Sequence, residues 1–254
     1  MKMKVVIFFL ATIVATCHAA NFRIFPLQMK TGLGAHYPPK ISCASWRLGV
    51  EAHNLIGFTT IPKECEEFNG EYMLSEQYRS DSKTVNREAY YYARDLEIAS
   101  NDIWVFDVDE TAISNLPYYA EHGFGVEPFN STAIDEWIEL GELPVLPETI
   151  KLYNKLLSLN IKIVFLTERS LVHEKITAEN LKKAGYYTWE KLIVKDKSIY
   201  AGKTSQEYKT AERKKLVEEG YRIIGNTGDQ WTDLLGKHKG DRTFKLPNPM
   251  FYIP

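Results

Sequence analysis

Short apolar runs alternate with amphipathic segments over the second half of the chain. The runs have the length and residue types of buried strands and lie at residues 103–106, 161–166, 192–194, 223–225 and 243–246. Between them, Pro147 suits the first turn of a helix, and Gly185 and Gly220 suit the ends of two more. This alternation predicts right-handed crossovers and a parallel sheet with helices on both faces. The predicted fold class is therefore a three-layer, Rossmann-like α/β fold.

The residues before the first strand follow a helical pattern instead. Asp81 or Ser82 is predicted to cap a helix there. Its apolar side carries Val85, Ala89, Tyr92, Ala93 and Leu96. We predict a mostly helical N-terminal region at 21–101 and an α/β core at 102–254. Within the core, residues 117–144 interrupt the alternation, are rich in aromatics and are bracketed by prolines, so we expect a flap or small cap near the site.

The first 20 residues have the pattern of a secretory signal peptide. Lys2 and Lys4 precede an apolar run at 5–14, and small residues end at Ala20. The run is too short to span a bilayer, and no later stretch could span one, so we expect no membrane association after signal removal. The net charge of −2 over 254 residues, with no basic cluster, speaks against nucleic acid as a partner.

Two further features agree with secretion. Cys43 and Cys65 remain once the signal is removed, and in an oxidising compartment they are predicted to form a disulfide. The alternative is two buried free thiols. Asn130 begins the sequon Asn-Ser-Thr and is the predicted glycosylation site.

Chemically active side chains follow the predicted strands. Because the carboxyl ends of parallel strands meet at one edge of a sheet, these side chains are expected to converge. They are Asp107 and Asp109 after the first strand, Thr167, Glu168 and Arg169 after the second, and Asp229 and Asp233 after the fourth. Lys209 opens a predicted helix between the third and fourth strands. Hydroxyl, cation and carboxylates in this order indicate a site for a phosphoryl group and Mg²⁺.

Each of these residues also has a structural interpretation. Asp107 and Asp109 could form a solvated acidic turn, Thr167 could be a helix N-cap, and Lys209 could be a solvated helix lysine. Asp229 could be an ordinary turn residue.

The same residues resemble the four motifs of the haloacid dehalogenase superfamily of phosphotransferases. The first motif matches 107–111, the second 163–167 and the fourth 228–233, and Lys209 best fits the third. Outside the motifs, the segments at 43–47, 79–85, 114–119 and 244–250 resemble plant acid phosphatases of that superfamily, including legume vegetative storage proteins and stem glycoproteins. This resemblance covers nearly the whole mature chain.

The resemblance implies an aspartyl-phosphate mechanism. Asp107 would attack phosphorus, and Asp109 would protonate the leaving oxygen and later accept a proton from water. For this, Asp109 is expected to hold a proton while Asp107 is ionised. Mg²⁺ would be held by the Asp107 side chain, the Asp109 main-chain carbonyl and Asp229.

The resemblance also assigns the remaining positions. Thr167 and Lys209 would bind phosphate oxygens, and Asp233 would lie outside the metal's direct ligands and orient Lys209.

The leading functional hypothesis is a Mg²⁺-dependent acid phosphatase for small phosphomonoesters, in the vacuole or outside the cell. The second hypothesis is a storage glycoprotein with low or incidental phosphatase activity. A nucleotidase or phosphotransferase would use the same residues with a different cap. The resemblance suggests a homodimer, or a heterodimer with a close relative.

Overall fold

The computed structural model describes residues 41–254, which form one compact unit with a five-stranded parallel sheet at its centre. The predicted signal peptide lies outside the described residues. The strands are β1 (Asp102–Phe106), β2 (Lys162–Ser170), β3 (Lys191–Lys195), β4 (Arg222–Gly228) and β5 (Arg242–Lys245). Their order in the sheet is β3-β2-β1-β4-β5, so β1 is central.

Nine α-helices accompany the sheet within residues 41–254. They are α1 (Cys43–Glu51), α2 (Glu66–Leu74), α3 (Glu76–Arg94), α4 (Leu116–Glu121), α5 (Ser131–Glu139), α6 (Pro147–Ser158), α7 (Glu174–Lys183), α8 (Ser205–Glu218) and α9 (Trp231–Leu234). Within this part of the chain, no helix is both long enough and apolar enough to cross a membrane.

Side chains of β1 alternate between two apolar layers, as the two-residue period of a strand requires. Trp104 and Phe106 pack against α3 and α6, whereas Ile103 and Val105 pack towards α8. All five residues of β1 are buried, which is typical of a central parallel strand covered on both faces. The predicted three-layer α/β fold is confirmed.

The five predicted strands are all present, but β2 is longer than predicted. It runs to Ser170 instead of ending at Leu166, with an irregular register against β3 between those residues. Thr167 and Arg169 therefore belong to the strand itself, and apolar periodicity alone places its end too early.

The predicted helix ends are mostly correct. Pro147 begins α6, and Gly185 and Gly220 directly follow the C-cap residues of α7 and α8. The prediction that Asp81 or Ser82 caps α3 is wrong, because both lie inside the helix.

The actual N-cap of α3 is Ser75. Its hydroxyl accepts hydrogen bonds from the main-chain N of Gln77 at 3.1 Å and of Tyr78 at 3.4 Å. Asp81 instead accepts a bond from the Tyr72 hydroxyl at 2.9 Å.

Two connections bear on the predicted subdivisions of the chain. The disulfide between Cys43 and Cys65 is present and links α1 to the turn before α2, which confirms the predicted pairing. The predicted flap at 117–144 contains α4 and α5, and α5 packs beside α7. The division into an N-terminal region and a core with an insert remains a prediction.

Candidate active site

The carboxyl ends of β1 and β4 lie side by side and bring two aspartates together. Phe106 pairs with Thr227 at the end of the ladder, and the main-chain N of Asp107 donates to Thr227 O at 3.0 Å. Asp107 therefore leaves the sheet next to Asp229, which follows Gly228 at the end of β4. Both aspartates are buried, which excludes a solvated acidic turn at Asp107.

Lys209 of α8 lies between two of the buried carboxylates. Its Nζ lies 2.6 Å from Asp107 Oδ1 and also contacts Asp233 Oδ1. The lysine is 4% exposed, which excludes the solvated-lysine interpretation. Helix α8 begins four residues before Lys209, at Ser205, so Lys209 does not open the helix as predicted.

Asp233 can approach the end of β4 because Gly228 has no side chain. A Cβ at position 228 would overlap the Asp233 carboxylate. The other oxygen of that carboxylate accepts a bond from Gln230 N at 2.9 Å. Asp233 is thereby fixed against the lysine.

The charge of Lys209 does not balance the charges of the buried carboxylates around it. Burial opposes the charged form of Lys209, but the carboxylates of Asp107 and Asp233 outweigh burial and raise its pKa, so the lysine remains a cation. Burial raises the pKa of Asp107 well above its usual range against the pull of Lys209, and the nearby carboxylates add to the rise. One lysine thus does not neutralise the aspartates around it.

Asp229 is held by three side chains. Asn248 and Gln230 donate to its Oδ2 at 2.7 and 2.8 Å, and the Thr111 hydroxyl donates to its Oδ1 at 3.2 Å. Burial, followed by the charge of Asp233, raises the pKa of Asp229 to about 6. Its carboxylate is therefore oriented before any ligand arrives.

This donor set fits a hard divalent cation. Asp107, Asp229 and Asp233 each offer one carboxylate oxygen, and these three oxygens lie within 4.8 Å of one another. Carboxylates are the ligands that Mg²⁺ prefers, and a dication would offset the negative charge that raises the pKa of Asp107 and Asp229. Asp233 uses both of its carboxylate oxygens, for Lys209 Nζ and Gln230 N, whereas Asp107 uses one, for Lys209 Nζ.

Asp109 points to a different partner, Arg169. The guanidinium Nη2 lies 2.7 Å from Asp109 Oδ1, Nε lies 3.0 Å from Oδ2, and Asn115 Nδ2 donates to Oδ1 at 2.8 Å. Burial opposes ionisation of Asp109, but Arg169 and Asn115 outweigh burial and hold its pKa below the usual value. This direction is opposite to the expectation that Asp109 holds a proton in the free protein, because the sequence brings Arg169 to the same sheet edge but does not show that its guanidinium pairs with Asp109.

Thr167 is fully buried in β2. Its hydroxyl accepts a bond from Arg169 N at 3.2 Å, and its carbonyl accepts one from the Tyr208 hydroxyl at 3.0 Å. The helix N-cap interpretation is wrong, because Thr167 precedes the strand end. The structure places this residue against Tyr208 of α8, and it is not among the residues that line the cavity with Lys209.

A cavity of about 380 Å³ opens above these residues. One side holds Asp107, Asp109, Lys209 and Asp229. The opposite side is largely apolar and comes from the predicted flap and the C-terminal segment, with Tyr119, Phe129, Ile134, Ile138, Phe251 and Ile253. A second cavity of about 860 Å³ adjoins it and shares Tyr119, Phe129, Phe251 and Ile253.

Asn130, the predicted glycosylation site, caps α5 through its side-chain oxygen.

Several side chains in the site received no role from the sequence, among them Arg169, Asn115 and Asn248. Arg169 was among the polar residues predicted to follow the second strand. Its positive charge, close to the Thr167 hydroxyl in the sequence, was the signal that could have indicated a role in the site. Asn115 and Asn248 orient Asp109 and Asp229 from outside the predicted strand ends. Nothing in their local sequence indicates those contacts, which depend on the folded chain.

Comparison with known proteins gives consistent matches. Residues 28–254 match the family model described as HAD superfamily, subfamily IIIB (Acid phosphatase). The stem 28 kDa glycoprotein of Glycine max is 59% identical over 256 residues, covering 100% of both chains. Acid phosphatase 1 of Solanum lycopersicum is 42% identical over 259 residues, covering 99% of this chain and 100% of the relative. Vegetative storage protein 1 of Arabidopsis thaliana is 44% identical over 232 residues, covering 90% and 84%.

A solved structure shares the fold. The class C acid phosphatase from Bacillus anthracis, determined with tungstate bound, superimposes with a TM-score of 0.56 at 19% sequence identity. The match covers 75% of this chain and 86% of that chain. At this identity the likeness is evidence for the α/β architecture alone.

Proposed function

Because the chain belongs to subfamily IIIB of the HAD superfamily, the acid phosphatases, we propose that it hydrolyses small phosphomonoesters with Mg²⁺ as cofactor. The observation that carries this proposal is the buried contact of Lys209 with Asp107 and Asp233 at the floor of an open cavity. A fixed cation beside a carboxylate nucleophile is what transfer of a phosphoryl group requires. We place the protein in the secretory pathway, destined for the vacuole or the extracellular space.

In the proposed reaction, Asp107 is the nucleophile. A carboxylate oxygen of Asp107 forms a bond to phosphorus while the bond from phosphorus to the alcohol oxygen breaks, and the alcohol leaves with a proton. Water then attacks the aspartyl phosphate, which releases inorganic phosphate and restores the carboxylate. Lys209 would contact the phosphoryl oxygens and offset their growing charge.

Asp109 is the proposed acid and base. The lowered pKa that Arg169 imposes suits the second step, in which ionised Asp109 takes a proton from the attacking water. For the first step, a phosphoryl group bound beside Asp109 adds negative charge and thereby raises its pKa. Acid pH would complete the protonation in the substrate complex.

Mg²⁺ would be held by the side chains of Asp107 and Asp229 and by the main-chain carbonyl of Asp109, and when bound it would neutralise charge on the phosphoryl oxygens. Asp233 would orient Lys209 through the contact described above. Thr167 remains a proposed phosphate ligand on the resemblance to the second motif; its hydroxyl proton is free to donate, but its side chain is fully buried and does not line the cavity.

Storage is the second candidate function. It is supported by the similarity to vegetative storage protein 1 and to the stem 28 kDa glycoprotein. The two proposals differ in turnover, because a storage protein does not require efficient catalysis. An assembly with a second copy or a close relative is proposed on the family resemblance alone.

The deciding experiment is a kinetic assay of the purified full-length protein with aryl and alkyl phosphates between pH 4 and 8. Chelation should remove activity, and added Mg²⁺ should restore it. Asp107→Asn should lower kcat by more than about a thousandfold, since an amide cannot form the aspartyl phosphate. Asp241→Asn, at an exposed aspartate, is the matched control. Retention of more than about a tenth of kcat by Asp107→Asn would exclude it as the nucleophile. Slow turnover by the wild type at every pH would favour storage.

A further inference from the structure

Asn115 links the proposed acid and base Asp109 to the flap helix α5. It lies directly before α4 and is 4% exposed. Its Nδ2 donates to Asp109 Oδ1 at 2.8 Å, and its Oδ1 accepts a bond from Trp137 Nε1 at 3.1 Å. Asp109 follows β1, whereas Trp137 lies on α5, which forms part of the opposite cavity wall. One buried amide therefore joins the two sides of the cavity.

The partners of Asn115 allow only one orientation of its amide. An indole N–H can donate but not accept, so Trp137 must meet the amide oxygen. An ionised carboxylate can accept but not donate, so Asp109 must meet the amide nitrogen. Reversal of the amide would break the bond to Trp137 and place Asn115 Oδ1 against the Asp109 carboxylate. Trp137 therefore determines which end of the amide Asp109 meets.

Glu110 fixes the main chain of Asn115. Its buried carboxyl accepts bonds from Asn115 N and from Asn115 Nδ2, the latter at 3.0 Å. Glu110 has a φ of 54°, in the left-handed region that residues with a side chain rarely adopt. Such a conformation is retained where surrounding contacts impose it. With both amide hydrogens donated and the oxygen accepting, every polar atom of the Asn115 side chain has a partner.

The two carboxylate oxygens of Asp109 are held differently. Oδ1 accepts from Asn115 at 2.8 Å and from Arg169 Nη2 at 2.7 Å, so both of its lone pairs are engaged. In residues 41–254, the bond accepted by Oδ2 is that from Arg169 Nε, at 3.0 Å. Asp109 lines the cavity, and its side chain is 26% exposed. Oδ2 is therefore the oxygen with capacity left for a further partner in the cavity.

We propose that Asn115 is a positioning residue that occupies Asp109 Oδ1 and leaves Oδ2 to carry the proton, and that Trp137 of the flap fixes Asn115 in the orientation this requires. In the first step the proton would pass from Oδ2 to the alcohol oxygen as the bond from phosphorus to that oxygen breaks. In the second, Oδ2 would take a proton from the attacking water. These transfers rest on the phosphatase function proposed above, whereas the fixing of the amide concerns contacts within the protein.

Hydrogen exchange of the Asn115 side-chain amide tests the fixing without any substrate. NMR of the full-length protein, isotope-labelled at asparagine, follows these protons. Trp137→Phe keeps an aromatic ring on α5 but removes the indole N–H, so the amide should exchange about fivefold faster than in the wild type, the scale of one lost hydrogen bond. Unchanged exchange would overturn the proposal.

Trp189→Phe is the matched control for this experiment. Trp189 is another partly buried tryptophan that packs against the same core cluster as Trp137, and it lies outside the cavity. The Asn115 amide should exchange in this variant as in the wild type. Equally fast exchange in both variants would show a general loosening of the core and would also overturn the proposal.

The dependence on the leaving group tests the consequence for Asp109. kcat/KM reports the step in which the alcohol departs, and poor leaving groups need the proton most. For an alkyl phosphate, kcat/KM should fall about fivefold in Trp137→Phe and about tenfold or more in Asn115→Leu, where the Asp109 carboxylate loses a hydrogen bond. For nitrophenyl phosphate, whose leaving group needs little protonation, both variants should stay within about twofold of the wild type.

The outcomes separate this proposal from the proposed function. Equal losses for both phosphates, or no loss for either, would overturn the role of Asn115. If Asn115→Leu does not fold, Trp137→Phe still gives both the exchange and the kinetic result. A wild type that hydrolyses no phosphomonoester would contradict the proposed function and with it the proton transfer, while amide exchange still decides whether Trp137 fixes Asn115.

Discussion

The two sides of the catalytic cavity are built differently. On the phosphate side, Lys209, Asp229 and Asp233 are 4%, 1% and 3% exposed and bond to one another or to buried amides. On the opposite side, Phe129 is 69% exposed, and α5 is held by polar contacts near the surface. Buried charges leave few alternatives, since each unpaired group would be costly. The phosphate side is therefore expected to be rigid, and the flap side adaptable.

Among variants that keep the proposed nucleophile, the largest effect is expected from Lys209→Met. This change removes the cation from the proposed phosphate site and leaves Asp107 and Asp233 without their partner. We expect kcat to fall by about 10²–10³-fold, the usual loss for one preorganised electrostatic group. Lys214→Met is the matched control, because Lys214 is on the same helix but is exposed and contacts Glu218. A fall in kcat of less than tenfold, measured by steady-state kinetics, would show that the phosphate side tolerates the loss of its cation.

A smaller effect should follow from Arg169→Met, visible in the pH profile of kcat. The guanidinium holds the pKa of Asp109 down, so without it burial raises that pKa. Less Asp109 is then ionised in acid, and the acidic limb of the profile moves to higher pH. Arg169→Lys keeps the charge and should leave the limb nearly in place. An unmoved limb in Arg169→Met would mean that Asp109 does not act as the base.

The flap side should respond more weakly. Phe129→Ala is expected to raise KM for an aryl phosphate about three- to fivefold, the scale of a single aromatic contact, with little change for an alkyl phosphate. Tyr187→Ala removes another exposed aromatic side chain, 74% exposed and outside the cavity, and should change neither. A fall in kcat as large as that expected for Lys209→Met would contradict the contrast between the two sides.

The smallest effect on turnover is expected from reducing the disulfide between Cys43 and Cys65. The bond spans 22 residues, for which chain entropy predicts about 3 kcal/mol of stabilisation. The melting temperature should fall by roughly 5–10 °C, while kcat at low temperature stays unchanged. Thermal unfolding of the reduced sample checks the melting temperature, and an activity assay of the same sample checks kcat. A large loss of kcat in a folded sample would show that the N-terminal helices help to form the site.

The linear order of residues determined the sheet and the phosphate side of this protein. Buried parallel strands need continuous apolar runs, and their crossovers have one hand, so residues after the strands had to meet at one edge. For that reason Asp107 and Asp229 can be grouped from their positions in the sequence alone, whereas Lys209 follows no strand and was assigned by the family resemblance. The start of α3 was missed because Ser75, Asp81 and Ser82 are all suitable caps, and the tertiary partner Tyr72 engages Asp81.

Tertiary structure alone decided which charges pair. Asp109 and Arg169 are 60 residues apart, and their contact reverses the expected direction of the Asp109 pKa. Local patterns report burial and period, which are properties of one segment, whereas an ion pair depends on where two distant segments come to lie. The sequence thus identified the reactive side chains of this site, whereas the fold determined their charge states.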